Sequence, residues 1–190
     1  MKKILLLLFI ITACTKRDIY YPSYNFFEQY SPTEIELKKL TFKQLKDSIL
    51  NQLERNIHSF ITIQEGSNIY KISPHVYVRG FVREMNGLEI SNDSILISSE
   101  RYPLTQLEKW LKRHYENNGD SEFLAFSSKR AFVKLILEDD ASAELVKKSI
   151  LRIVKGFEKT QIIGKDDISL RIRLESPIEL QETIPPPPIN

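Results

Sequence analysis

The chain has 190 residues, with 27 lysines and arginines against 25 aspartates and glutamates. Lys2 and Lys3 account for that excess, so the remainder carries no surplus cation to replace the counterions around phosphates, which excludes ordinary nucleic-acid binding. Cys14 is the only cysteine; no intrachain disulfide forms, and stability has to come from a packed core of one domain or two small ones.

At the N-terminus, Met1-Lys2-Lys3 is followed by eight apolar residues, Ile4 to Ile11, and then by Thr12-Ala13-Cys14. The apolar run is too short to span a bilayer, which takes about 20 residues. Two lysines, a short apolar core and small residues before a cysteine have the grammar of a secretory signal. These fourteen residues resemble a bacterial lipoprotein signal, with Ile11-Thr12-Ala13-Cys14 filling the four positions of its lipobox. The resemblance implies removal of residues 1–13, acyl chains on Cys14 and attachment to a membrane by lipid alone. An ordinary signal peptide or a first strand of the domain are the competing readings. Thr15-Lys16-Arg17 lacks an aspartate directly after the cysteine and an acidic run, so the expected location is the outer membrane, facing the periplasm.

Residues 14–32 read as the lipidated cysteine and a tether, punctuated by Pro22 and Pro32. Tyr20, Tyr21, Tyr24, Phe26, Phe27 and Tyr30 make this segment too aromatic for a disordered linker. It suits the lipid headgroup level, a docking strip for a partner or sugar rings, or a segment folded back on the domain.

Residues 33–176 form the expected globular part. Thr41 with Gln44 reads as a capping box, flanked by Leu40 and Leu45 as a hydrophobic staple, and Leu45, Ile49, Leu53 and Ile57 mark one apolar helix face. Phe60 to Ile63 is a strand stopped by Gly66, and an extended stretch covers His75 to Glu84. Asn86-Gly87 reads as a hairpin turn into Leu88 to Ile97. Thr105 with Glu108 predicts a second capping box, preceding a helix that buries Leu107, Trp110, Leu111 and Tyr115 and stops at Asn118-Gly119. Phe123 to Phe126 and Phe132 to Leu137 read as buried strands. A third helix begins after Asp139-Asp140 and runs to Phe157, with Lys147, Lys148, Arg152 and Lys155 outward. The last strand covers Ile168 to Leu174. Helices interleaved with strands predict an α+β fold, an α/β sandwich with about three amphipathic helices on a mixed sheet. Residues 177–190 are a tail whose Pro185 to Pro188 favours polyproline II.

From His75 to Leu174 the order of elements resembles the periplasmic part of the ExbD/TolR family of biopolymer-transport proteins. A hairpin is followed by a capped helix (Leu104-Thr105-Gln106-Leu107-Glu108), a strand ending in acids (Val133 to Asp140), a Glu144-Leu145-Val146 helix and a final strand. That family enters the inner membrane through a helix carrying an aspartate for proton flow; here the N-terminal apolar run has no acid, and the motor role does not follow. A tyrosine common after the acidic strand end is replaced by Ala143 or Glu144. The resemblance implies a homodimer and contact with a TonB-like segment or peptidoglycan.

The three histidines, His58, His75 and His114, have no metal-site spacing and read as surface or packing residues, so no metal or other cofactor is expected. Asp139-Asp140 reads as a helix cap before it reads as half of a hydrolytic carboxylate pair, and Asp166-Asp167 as turn chemistry. Arg171 and Arg173, at alternate positions on one strand, share a face and together suit a carboxylate from a peptide or partner, or else form a solvated edge. Cys14 for lipidation, and Arg171, Arg173, Tyr20, Tyr21 and Tyr24 for binding, are therefore the candidate site residues. The expected function is a non-enzymatic, lipid-anchored protein that binds another envelope component. A hydrolase joining His75 or His114 to the aspartates, and a structural lipoprotein assembling through its aromatic tether, are the alternatives.

Overall fold

The computed structural model describes residues 16–76, 86–162 and 168–177. In chain order, β1 (Arg17–Tyr21), α1 (Tyr24–Tyr30) and β2 (Thr33–Glu34) precede α2 (Phe42–Leu53), and β3 (Ser59–Glu65) and β4 (Asn68–Ile72) follow it. Then come β5 (His75–Val76), β6 (Gly87–Ile90), β7 (Ser94–Ile97), β8 (Glu100–Pro103), α3 (Leu107–Glu116), β9 (Phe132–Ile136), α4 (Ala143–Lys159) and β10 (Ile172–Glu175). The fold is α+β, with two sheets and four α-helices among the described residues.

The first sheet has the strand order β1-β4-β3-β2. Gly66, at φ 58°, supplies the left-handed residue that turns β3 into the antiparallel β4. Ile61, Ile63, Tyr70 and Ile72 alternate into the core, while Thr62 and Lys71 point to the other face. β1 lies parallel to β4, with Arg17 opposite Asn68 and Tyr21 opposite Ile72. The second sheet runs β5-β10-β9-β6-β7-β8, with the first four strands parallel and β6, β7 and β8 forming an antiparallel meander. Val133, Leu135, Ile172 and Leu174 line its buried face. α3 and α4 pack together where Gly156 lets Leu107 and Leu111 come close; a Cβ there would lie 3.0 Å from Leu107 Cδ2.

Contacts on two sides join the halves. The amide groups of Phe42 and Lys43, left without helical partners at the start of α2, donate to the carbonyls of Ala141 and Asp139, each at 2.9 Å. On the other side, the hydroxyls of Tyr21 and Tyr70 donate to the carboxylate of Glu158 on α4, and the Tyr21 ring meets Phe157 edge-on at 6.4 Å. Burial and that neighbouring carboxylate both push the Tyr21 phenol above its ordinary pKa.

The first capping box forms as expected: Thr41 Oγ1 accepts from Gln44 N, and Gln44 Oε1 accepts from Thr41 N at 2.9 Å. The second does not, because a 3-10 turn over Leu104–Gln106 winds into α3 and leaves its start without a side-chain cap. α4 is capped by Ser142, whose hydroxyl accepts from Leu145 N, and not by Asp139 or Asp140. Leu53 and Ile57 are exposed because α2 ends at Leu53, before the apolar stripe does.

The tether is the largest correction. From Arg17 onward it is part of the first sheet: β1, α1 and β2 belong to the domain, so the folded-back reading holds for these rings. Residues 123–126 are not a strand but a loop with Leu124 and Ala125 inward and Phe123 and Phe126 exposed. Leu88 to Ile97 is two strands, with the hairpin turn at Ser91–Ser94; Asn86-Gly87 instead opens β6. Close approach favours glycine at 87, since a Cβ would lie 2.7 Å from the Phe132 ring and 2.6 Å from Lys134 Cε. β4 was unanticipated, and ladder pairing in the last strand begins only at Ile172. Cys14, the stretch from Tyr77 to Glu84, Asp166-Asp167 and Pro185 to Pro188 lie outside the described residues.

Candidate functional site

Of the three candidate tyrosines, Tyr20 and Tyr24 come together around the first turn of α1, and Tyr21 does not join them. Ser23 caps that helix, its hydroxyl accepting from Phe26 N, and the peptide bond from Tyr21 to Pro22 is cis. Tyr20 points away from the core, where its ring meets Tyr24 at 5.2 Å and Phe27 at 5.0 Å, both edge-on, and Lys71 Nζ sits 5.2 Å from its centroid. Phe27 continues to Phe60 at 5.3 Å, and Phe26 and Tyr30 close on His58. Tyr21 faces the opposite way, into the core. Between β1 and residues 168–170 lies a half-open groove of about 460 Å³, lined by Tyr20, Tyr21, Pro22, Phe157 and Ser169 among others. Aromatic edges and neutral polar groups give it the chemistry to hold an uncharged ring or an extended peptide.

Arg171 and Arg173 do not form an open pair. Arg171 Nη2 donates to the carbonyls of Lys129 and, at 3.0 Å, Ala131, tying the loop before β9 to the last strand. Arg173 is buried, lies 4.6 Å from the Phe132 ring centroid and is ion-paired with Glu175. Beside it Lys134, also buried, pairs with Glu89 at 2.9 Å. Both guanidinium groups therefore hold the chain itself.

Two further candidates, Asp139 and His114, are similarly engaged. Asp139 is bound by Lys46 at 2.8 Å and by Ser176, and the Lys46 ammonium holds its carboxyl below the usual range. His114 is fully buried on α3, with both ring nitrogens bonded to backbone. His75 is on β5, opposite Arg173, and His58 is among the α1 rings. Among the described residues no group of three or more histidine, cysteine or acidic side chains is placed to hold a metal ion, and no helix is long and apolar enough to cross a membrane.

One constellation was legible only in part: Lys148, Arg152 and Lys155 read as outward on the third helix, but Lys159 and the stripe they form together did not. Lys148, Arg152, Lys155 and Lys159 follow one another on α4 at spacings of four, three and four, which places all four on one outward stripe. The cations never form a consecutive run, so a search for polybasic segments passes over them; their helical period is the signal. Arg152 donates to the carbonyl of Asn92, and Lys155 pairs with Glu65 at the end of β3. Glu65 is opposite Asn68, and Asn68 is opposite Arg17, so Lys155, midway along the stripe, lies near the start of β1.

Compared with protein-family models, with curated proteins and with solved structures, the chain matches none of them.

Proposed function

We propose that this is a lipid-anchored protein of the bacterial cell envelope, attached through Cys14, whose domain holds another envelope component without chemical turnover. The observation that carries the reading is the shortness of the link. β1 begins at Arg17, three residues after Cys14, and three extended residues reach only about 10 Å. A domain fixed that close to its anchor works at the membrane surface, as a holder of neighbouring molecules. The groove beside Tyr20 and Tyr21, and the outer edge of β8, which has no further strand among the described residues, are both suited to an extended partner. Such a partner is a TonB-like segment or a peptidoglycan chain, as the ExbD/TolR resemblance implies, and the same resemblance supports a second copy of this chain. The outer membrane, facing the periplasm, is the proposed location.

The hydrolase alternative is less well supported. It needs an accessible histidine beside paired acids, whereas His114 is buried with both ring nitrogens occupied and Asp139 is engaged by Lys46. Assembly through a free aromatic tether loses its basis once those rings pack on the domain.

Two measurements test the proposal. Mass analysis of the N-terminal peptide from cells should find Cys14 acylated, and an unmodified Cys14 in a chain still carrying residues 1–13 would overturn the anchor. Crosslinking in living cells, with Cys14→Ala as the mislocalised control, should recover an envelope partner only with the anchored form. Recovery of the same partner by the control would remove the role of anchoring.

A further inference from the structure

We infer that the basic stripe of α4 (Lys148, Arg152, Lys155 and Lys159) lies on anionic phospholipid headgroups of the membrane that holds Cys14. This rests on the lipid-anchored reading and adds to it an orientation: α4 toward the bilayer, the β8 edge available to a partner.

The geometry begins at the anchor. Arg17 N donates to the carbonyl of Ser67 at 2.9 Å, so the chain leaves the first sheet at the turn between β3 and β4. Glu65, at the same end, pairs with Lys155 of α4 at 2.5 Å. Cys14 therefore inserts its acyl chains within about 10 Å of a point beside the C-terminal half of α4. Lys148 and Lys159 are exposed, and Arg152 and Lys155 are partly so. Lys16 and Arg17, both exposed, extend the same basic surface toward the anchor.

Charge selects the occupant. Glu65 offsets one cation of the stripe, and Glu158 on its flank is turned to the hydroxyls of Tyr21 and Tyr70. Glu144 occupies the first turn of α4, away from the anchor. The local excess is positive although the chain from Cys14 onward is neutral in total, which fits an anionic surface and not a zwitterionic one. Each lysine or arginine held at such a surface strengthens binding by about fivefold. A single acyl chain binds membranes only marginally, so a basic face adds to it visibly.

The sole cysteine makes the test direct. The chain beginning at Cys14 is coupled through that thiol to one saturated acyl maleimide, and its partition into phosphatidylcholine vesicles is compared with partition into vesicles also containing phosphatidylglycerol. The expected result is tighter binding to the anionic vesicles by roughly tenfold or more, lost at high salt. The combined variant Lys148→Glu, Arg152→Glu and Lys159→Glu should lose the gain. The variant Lys38→Glu, Lys39→Glu and Lys129→Glu, with the same change in net charge, should keep most of it; thermal melting of both verifies folding. Equal binding to the two vesicle types, or loss of the gain in both variants alike, would overturn the α4 surface. The acyl chain here is supplied chemically, so an unmodified Cys14 in cells together with a retained gain would overturn the anchored reading alone.

Discussion

His114 donates its Nε2 proton to the carbonyl oxygen of Asn86 at 3.0 Å, and shares it with the carbonyl of Phe132 at 3.1 Å. Its Nδ1 accepts from Ala125 N at 3.2 Å, so the neutral tautomer is fixed by three backbone groups from three separate segments. A second proton has nowhere favourable to go: burial lowers the imidazole pKa to about 4 from an ordinary 6.5, although the two carbonyls favour the charged form. In the unfolded chain the same ring takes up its proton near pH 6.5. Stability should therefore be full above that value and fall as pH drops from 6.5 toward 4, by about 2 to 3 kcal/mol. Urea denaturation at pH 7.5 and pH 4.5 measures this, and His114→Gln should flatten the slope in that window. An unchanged slope in the variant would assign the pH dependence to other groups.

The helix caps make a paired prediction. Thr41 and Ser142 each accept a hydrogen bond from the backbone at their helix start, and Asp140 does neither job. Thr41→Ala and Ser142→Ala should each lower stability by about 1 kcal/mol, while Asp140→Ala should remain within about 0.5 kcal/mol of the parent chain. Chemical denaturation of the three variants is sufficient. A larger loss from Asp140→Ala than from Ser142→Ala would restore the aspartate cap read from sequence.

What was legible in the sequence divides by the range of the interaction. The capping box at Thr41 and the alternation of β3 depend on residues a few positions apart, and both were readable. Gln106 and Leu107 defeat the same logic, because a 3-10 turn satisfies the start of α3 without Thr105 or Glu108. Asp139 was misread for a longer-range reason. Its carboxylate is bound by Lys46 and Ser176, and its carbonyl serves the start of α2, partners that no local spacing announces. Arg171 and Arg173 have the alternation expected of a shared strand face, but Lys129 and Phe132, which meet their guanidinium groups, come from elsewhere in the fold, and Glu175 on the same strand pairs with Arg173. The aromatic segment was ambiguous for want of a partner: Tyr20 and Phe27 find Phe60 and Lys71 only after β3 and β4 are in place.

Tyr21 and Tyr24 separate a folded segment from a tether. Tyr21 is buried against Phe157, whereas Tyr24 is 54% exposed. Tyr21→Ala should lower stability by about 3 kcal/mol or more, the scale of a large-to-small substitution in a core, while Tyr24→Ala should fall within about 1 kcal/mol. Calorimetric melting of the two variants compares them directly. Equal, small effects would mean that β1 contributes no folding energy, and the close placement of the domain to Cys14 would no longer follow.

Arg171 ties the loop before β9 to the last strand, and its removal should register as lost stability. Arg171→Ala leaves the carbonyls of Lys129 and Ala131 without their guanidinium donor, and hydrogen bonds from a charged donor contribute about 1.5 to 3 kcal/mol. The loss should appear in urea denaturation of the free protein, before any partner is added. Hydrogen exchange should also quicken at Ala131 and Val133, whose amides lie beside that link; Val133 N donates to Arg171 O at 2.9 Å. Arg171→Lys should recover only part of the stability, because the shorter lysine side chain carries its ammonium short of the point from which Nη2 reaches both carbonyls. A fully stable Arg171→Ala chain that nevertheless lost capture of an envelope partner would return this residue to the binding role that its strand position first suggested.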